Sequence, residues 1–270
     1  MTPEQRPASR LAPLFQACRE DNRAALIGYL PTGYPNLHTS LDAMVALVES
    51  GCDIVEVGIP YSDPGMDGPT IAQATQVALD AGVRVRDTLA AVEAISAAGG
   101  SAVVMTYWNP VLRYGIDAFA RDLAAAGGQG LITPDLIPDE AQHWLAASDA
   151  HWLDRIFLVA PSSTPQRLAA TVQACRGFVY AASTMGVTGA RDAVSGAAPE
   201  LVSRVKAVSD LPVGVGLGVR SRQQAAAIAR YADGVIVGSA LVSALADGLP
   251  RLRVVVEELA AGVREQVGPQ

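Results

Sequence analysis

One unit recurs along the chain: a short run rich in β-branched residues, a polar or glycine-rich turn, then an alanine-rich helical pattern. The apolar runs fall at 25–30, 54–58, 102–107, 130–133, 155–159, 177–181, 212–216 and 234–237. They are almost continuously apolar, which suits parallel strands covered on both faces. Helical periodicity fills the intervals, over 40–50, 69–81, 85–98, 116–126, 140–147, 165–175, 199–208 and 222–229. Strands alternating with helices build βαβ units and a parallel sheet. Eight units are the number that closes a (β/α)8 barrel. The fold class is therefore α/β, a single-domain (β/α)8 TIM barrel with an extra N-terminal helix. An open doubly wound sheet is the alternative.

A length of 270 residues fits one such domain. An extension and helix occupy about 1–24, the barrel 25–248, and a C-terminal helix and tail 249–270. The first helix runs from Ser9, a candidate N-cap, to about Arg19, with Pro13 in its first turn. In the last helix Leu252, Val255, Val256 and Leu259 repeat at helical spacing.

Charge and composition exclude several function classes. A net charge of -7 and a pI of about 5.0 argue against a nucleic-acid partner, which needs a basic face. No apolar run approaches the roughly 18 residues of a membrane span. Glu4, Arg6 and Arg10 leave no apolar core for a signal peptide near the N-terminus. Cys18, Cys52 and Cys175 are odd in number and far apart, which fits a reducing cytoplasm better than a disulfide framework. His38, His143 and His151 show no metal-ligand spacing, so no metal is expected. Lys206 is the only lysine, which limits Schiff-base chemistry and covalent pyridoxal phosphate.

The widest strand spacings, from 54 to 102 and from 177 to 212, point to long loops over 59–68 and 183–198. Both follow strand C-terminal ends, where barrel active sites sit. In strand 2, Val55 and Val57 share one face and Ile54 and Glu56 the other. Two valines suit the helix layer, so Glu56 points into the barrel. A carboxylate in an apolar mouth has a raised pKa, as acid/base work requires. A salt-bridged interior glutamate is the alternative, weakened because strand 2 contains no Lys or Arg. Asp67 sits just before Gly68 and Pro69, a cap and first helical position. It reads as a second carboxylate over the mouth, or as one merely favoured by a helix N-terminus. Asp63 is its rival in the same loop.

Glycines end strand 7 (Gly214, Gly216, Gly218), and Gly238-Ser239 opens a short helical run over 240–245. Backbone N–H groups at such places bind phosphate, and this pair of loops is the usual phosphate site of the barrel. Taken singly, these glycines could equally be tight-turn residues. Val219 and Ser221 break any dinucleotide fingerprint. Tyr29, Met105, Tyr107, Tyr180 and Leu217 at strand tops, with Ile71, could line an apolar pocket or simply pack in the core.

The stretch Val55-Glu56-Val57-Gly58-Ile59-Pro60-Tyr61-Ser62-Asp63-Pro64, continuing to Asp67-Gly68-Pro69-Thr70-Ile71, resembles the signature of the tryptophan synthase alpha chain family. Met185-Gly186-Val187-Thr188-Gly189 is similar to that family's mobile loop, and Gly238-Ser239-Ala240 to its phosphate helix. Asn109 and Tyr114-Gly115-Ile116 fit as well. The resemblance implies a lyase of tryptophan biosynthesis, cleaving indole-3-glycerol phosphate to indole and glyceraldehyde 3-phosphate. It makes Glu56 the proton carrier and Asp67 the acceptor of the indole N–H. It assigns the phosphate to backbone N–H groups of Gly189, Gly218, Gly238 and Ser239. It places Tyr180 near the glycerol, Tyr29, Tyr107 and Leu217 near the ring, and Thr188 on Asp67 when the loop closes. It also implies a beta-chain partner in an alpha2-beta2 hetero-oligomer, with pyridoxal phosphate on that partner and no cofactor on this chain. Pro31, Tyr34, Pro134 and Thr184 depart from the family pattern at the pocket rim and loop. The competing readings are a different phosphate-binding barrel enzyme and a non-catalytic regulatory barrel. Indole-glycerol-phosphate synthases rely on catalytic lysines that this chain does not offer. Strand 1 has no aspartate of the kind ribose-phosphate isomerase barrels use.

Overall fold

Each apolar run folds as a strand, and the strands close into a ring. A computed structural model describes residues 9–182, 197–216 and 218–265. The strands are β1 (Ala25–Pro31), β2 (Ile54–Gly58), β3 (Ser101–Met105), β4 (Gly130–Thr133), β5 (Asp154–Val159), β6 (Val179–Ala182), β7 (Val213–Gly216) and β8 (Gly234–Val237). Neighbours pair in parallel in chain order, and β8 returns to β1 with Gly234 opposite Ala25. Closure rules out the open doubly wound sheet.

Helices α1 (Ala12–Glu20), α2 (Leu37–Glu49), α3 (Pro69–Asp80), α4 (Val85–Ala97), α5 (Trp108–Tyr114) and α6 (Ile116–Ala125) belong to the first half. Helices α7 (Gln142–Ala150), α8 (Pro165–Ala174), α9 (Ala197–Lys206), α10 (Arg222–Ala229), α11 (Ser239–Ala246) and α12 (Leu249–Val263) belong to the second. The wide interval after β2 holds both α3 and α4.

Strand alternation sorts side chains into two cores. Val55 and Val57 pack outward with Leu30, Val104 and Leu131 against the helices. Ile54 joins Ile27, Val103, Ile132, Ile156, Phe178 and Ile236 inside the ring. Full burial of each such side chain stabilises the fold by about 1.5–3 kcal/mol. Leu11, Phe15 and Cys18 belong to the same inner core, and the Phe15 ring lies 5.8 Å from that of Phe178. Helix α1 therefore plugs the end of the barrel where the strands begin. The opposite end, at the strand C-termini, is left for chemistry.

Tertiary partners explain where the elements differ from their sequence patterns. The N-cap position of α1 is Leu11, not Ser9. Buried Asp154 accepts from Leu11 N at 3.0 Å and from Ser9 Oγ at 2.8 Å, fixing this entry from across the barrel. Ser9 Oγ still accepts from Ala12 N at 3.1 Å. Helix α5 has no counterpart in the sequence patterns. It is short, and its first amide, Trp108 N, donates to the Asp135 carboxylate at 2.9 and 3.1 Å, a cap lent by the β4 loop. Strand β3 consequently ends at Met105, before Tyr107. Strand β6 starts at Val179 because Gly177, at φ +97, makes a left-handed turn before it.

Candidate active site

Strand β2 carries Glu56 between Tyr29 of β1 and Val103 of β3. Its neighbours in the pleat send valines outward, so the carboxylate faces inward, 1% exposed. Its Oε2 has no hydrogen-bond partner among the described residues. Burial, and then the charge of Asp67, push the Glu56 pKa up to about 8. At neutral pH most of the molecules hold a proton there. The salt-bridged alternative finds no ion pair to Glu56 among the described residues.

Asp67 ends the loop over 59–68. Gly68 is the N-cap of α3 and Pro69 its first residue, as the spacing predicts. The loop is clipped to the next rim element through Tyr107, the N-cap residue of α5. Met66 N donates to Tyr107 Oη at 2.9 Å, and Tyr107 Oη donates to Asp67 Oδ1 at 3.3 Å. Tyr61 stacks on Tyr107 with ring centroids 5.3 Å apart. Burial raises the Asp67 pKa, and the Tyr107 hydrogen bond pulls it back. Both carboxyls are thus lifted, Glu56 to about 8 with the Asp67 charge among its causes, and Asp67 against the pull of the Tyr107 hydrogen bond. An inward, buried acid beside a carboxyl held by a phenol suits one proton donor and one acceptor at a shared site.

The other predicted side chains converge on this pair. Burial lifts Tyr29 well above the ordinary tyrosine pKa, with the Asp67 and Glu56 charges adding to it. Tyr180 is raised by burial and then by Glu56 and Asp67. Both phenols stay protonated and can donate. A Cβ at Gly58 would stand 2.5 Å from Tyr29 Oη, so only glycine lets that ring lie across β2. A Cβ at Gly216 would likewise stand 2.7 Å from Tyr180 Oη. At the end of β8, the space beside Gly238 is bounded by Ile71 Cδ1 and Tyr29 Cδ1, each 3.4 Å from where its Cβ would be. Gly238 is the N-cap of α11 and Ser239 its first residue, so unpaired helix N–H groups open here. Gly218, after the adjacent β7, has φ +64, a conformation that favours glycine and lets backbone approach an anion. Leu217, Thr188 and Gly189 lie outside the described residues, as does most of the second long loop. Asp63 is exposed and accepts from Ser62 Oγ at 2.6 Å, outside this cluster.

Two contributors escape the sequence patterns. Thr75 of α3 hydrogen-bonds the Tyr29 side chain. Its position one turn after Ile71, on the same helix face, was the available signal. The Met66 amide clamp depends on a backbone atom and leaves no mark in side-chain patterning. Among the described residues no group of histidine, cysteine or acidic side chains could hold a metal ion. Lys206 pairs with Asp233 at 3.1 Å at the C-terminal end of α9.

The pair of carboxylates makes stability depend on pH. The native chain keeps the Glu56 proton to about pH 8, whereas a freely solvated glutamate releases it near 4.5. Between those values the native state binds more protons, so stability falls as pH rises. Glu56→Gln removes that loss. We expect the variant to be more stable than the wild type above pH 8, by on the order of 5 kcal/mol, with the gap closing towards pH 4.5. Urea midpoints across this range measure it, and a gap independent of pH would contradict the buried titration.

The family model for the tryptophan synthase alpha chain matches residues 15–267. The chain is 81% identical over 269 residues to the tryptophan synthase alpha chain of Mycobacterium marinum, with 100% of each chain covered. It is 82% identical over 267 residues to that of Mycobacterium avium, covering 98% of each. A solved structure of Mycobacterium tuberculosis tryptophan synthase superposes with a TM-score of 0.94 at 80% identity, over 97% of this chain and 100% of that one. A Legionella pneumophila tryptophan synthase alpha chain, only 28% identical, still gives 0.85 over 95% of this chain and 98% of that one. With the closed barrel and the carboxylate pair at its mouth, these matches establish that the chain belongs to the tryptophan synthase alpha chain family, lyases that act on indole-3-glycerol phosphate in tryptophan biosynthesis.

Proposed function

We propose that Glu56 and Asp67 carry out the retro-aldol cleavage of indole-3-glycerol phosphate to indole and glyceraldehyde 3-phosphate. The observation that carries this reading is the pair of carboxyl groups at one barrel mouth, Glu56 buried with Oε2 unpartnered among the described residues and Asp67 held by Tyr107 Oη. Protonated Glu56 delivers its proton to indole C3. Positive charge then develops on the ring nitrogen, and ionised Asp67 accepts the N–H and stabilises that charge. Glu56, now a carboxylate, takes the proton of the glycerol hydroxyl next to the ring. The carbon–carbon bond breaks, its electron pair returns to the ring, and the hydroxyl carbon becomes the aldehyde. The net change is one proton moved from oxygen to carbon, and Glu56 ends protonated as it began.

Substrate binding divides along the same lines. The N–H groups of Gly189, Gly218, Gly238 and Ser239 hold the phosphate. Tyr180 stands by the glycerol chain. Tyr29, Ile71, Tyr107 and Leu217 border the ring, and Thr188 closes onto Asp67 and excludes water. The reaction requires only proton transfers, so the chain needs no cofactor of its own. Lys206, tied to Asp233, is remote from this chemistry. The reading places pyridoxal phosphate on a beta-chain partner, in an alpha2-beta2 hetero-oligomer. Apolar Leu112, 53% exposed, and Ile137, 44% exposed, stand on the connections after β3 and β4 and offer that partner contact area beside the site. Three buried free cysteines fit the cytoplasm. Among the described residues no helix is long and apolar enough to cross a membrane.

The test is direct. Incubated with indole-3-glycerol phosphate, the chain should release indole and glyceraldehyde 3-phosphate in equal amounts, faster with a beta chain present. Absence of both products under both conditions would favour the regulatory-barrel reading.

A further inference from the structure

The phosphate end of this site poses an electrostatic problem that backbone N–H groups alone leave unsolved. The chain carries a net charge of -7, and the mouth holds two carboxylates. A phosphorylated substrate is itself an anion, so it approaches against the field of the whole molecule. Something local must reverse that field.

A cleft of about 520 Å3 lies against the outer side of the phosphate helix. It is lined by Pro69 and Thr70 from the first turn of α3 and by Ser239 and Ala240 from the first turn of α11. Two helix N-termini therefore border one cleft, each with positive potential. Further along, Ser243 and Ala244 of α11 and Asp247 at its C-cap line the cleft, with Val255 of α12. Its basic side chains are Arg220, two residues beyond Gly218, and Arg251 of α12, and Asp247 is its one acid among the described residues. Two guanidinium groups against one carboxylate leave the cleft net positive. Guanidinium is always charged and matches phosphate geometry.

The neighbouring arginines behave differently. Arg222 pairs with Glu265 at 2.6 Å, and Arg253 with Glu49 at 2.6 Å. Each lies two residues from an arginine of the cleft, yet each is neutralised at the surface. Among the described residues Arg220 and Arg251 form no ion pair. The Arg220 backbone is held instead, its N–H donating to Gln224 Oε1 at 2.8 Å. Its side chain is left exposed at the edge of the phosphate loops.

We propose that Arg220 and Arg251 are steering residues for phosphate, forming a cationic approach that draws the phosphorylated end of the substrate to the N-terminus of α11. The proposal rests on the phosphate-site reading above and adds side chains to it. The cation pair acts before the chemistry, on capture and affinity, and leaves the proton transfers at Glu56 untouched.

The experiment uses sn-glycerol 3-phosphate as probe, with binding to the full chain measured by calorimetry at low and high salt. Arg220→Gln with Arg251→Gln is compared with a control, Arg222→Gln with Arg253→Gln, which removes the same net charge from the paired arginines. At low salt the cleft variant should bind the probe about tenfold more weakly than the wild type, and its affinity should respond less to salt. The control should stay within about twofold, since exposed pairs contribute little. With indole-3-glycerol phosphate, the loss in the cleft variant should appear in KM, while kcat holds at saturation. Equal probe affinity and equal salt response in wild type and cleft variant would overturn the proposal, and so would equal losses in cleft variant and control. A wild type that binds the probe with these arginine effects but makes no indole would sink the lyase reading and leave the steering role standing.

Discussion

Glu56→Gln should abolish indole formation almost completely, lowering kcat by roughly a thousandfold, within the range that positioned acid–base groups contribute. The amide has nearly the shape of the protonated acid and sits in the same buried place, so the barrel loses nothing in packing. What it loses is a proton that can leave and return. In the proposed mechanism both halves of the reaction need that proton, first on indole C3 and then off the glycerol hydroxyl. The proposed phosphate contacts are backbone N–H groups at Gly238 and Ser239, at the junction of β8 and α11 rather than on β2, and the substitution leaves them in place. Binding of sn-glycerol 3-phosphate should therefore stay within about twofold of the wild type while turnover collapses. Turnover retained in this variant would remove Glu56 from the mechanism.

Asp67→Asn should cost roughly a hundredfold in kcat, the scale for losing one preorganised stabilising group. An asparagine can still accept the indole N–H, but it brings no negative charge to the ring nitrogen when positive charge develops there. The substitution has a second, separable consequence. The Asp67 charge is one of the two causes raising the Glu56 pKa. Removing it leaves burial alone, so Glu56 should lose its proton at lower pH. The alkaline limb of the residual activity should move towards neutrality. Rates of indole release across pH in this variant check both points. An unmoved limb would show that the two carboxylates do not sense each other.

Much of this was legible in the sequence because it follows from local rules. The pleat alternation of β2 alone places Glu56 inside, once Val55 and Val57 are given to the helix layer. Gly68-Pro69 marks the start of α3 by conformation and a missing N–H, and so positions Asp67. Strands β2, β4 and β8 match their apolar runs at both ends. The features that escaped depend on partners far along the chain. Helix α5 is capped by Asp135 from another loop, and the entry to α1 is fixed by Asp154 from β5. The Tyr107 bridge from Met66 to Asp67 joins residues about forty positions apart, and half of it is a backbone amide. The magnitude of the Glu56 shift is likewise a product of closure. A sequence shows that a carboxylate faces inward, but only the assembled ring removes water from it and brings Asp67 beside it.

The measurement that bears most directly on the central claim is kcat/KM for indole release from indole-3-glycerol phosphate by the wild-type chain, followed across alkaline pH. It reports the protonation of the free enzyme. If Glu56 must deliver a proton to indole C3 first, kcat/KM should hold near neutrality, then turn downward at about pH 8 and fall close to tenfold per further unit. A profile that rises through this range, or stays level well beyond it, would contradict a protonated Glu56 as the group that starts the reaction.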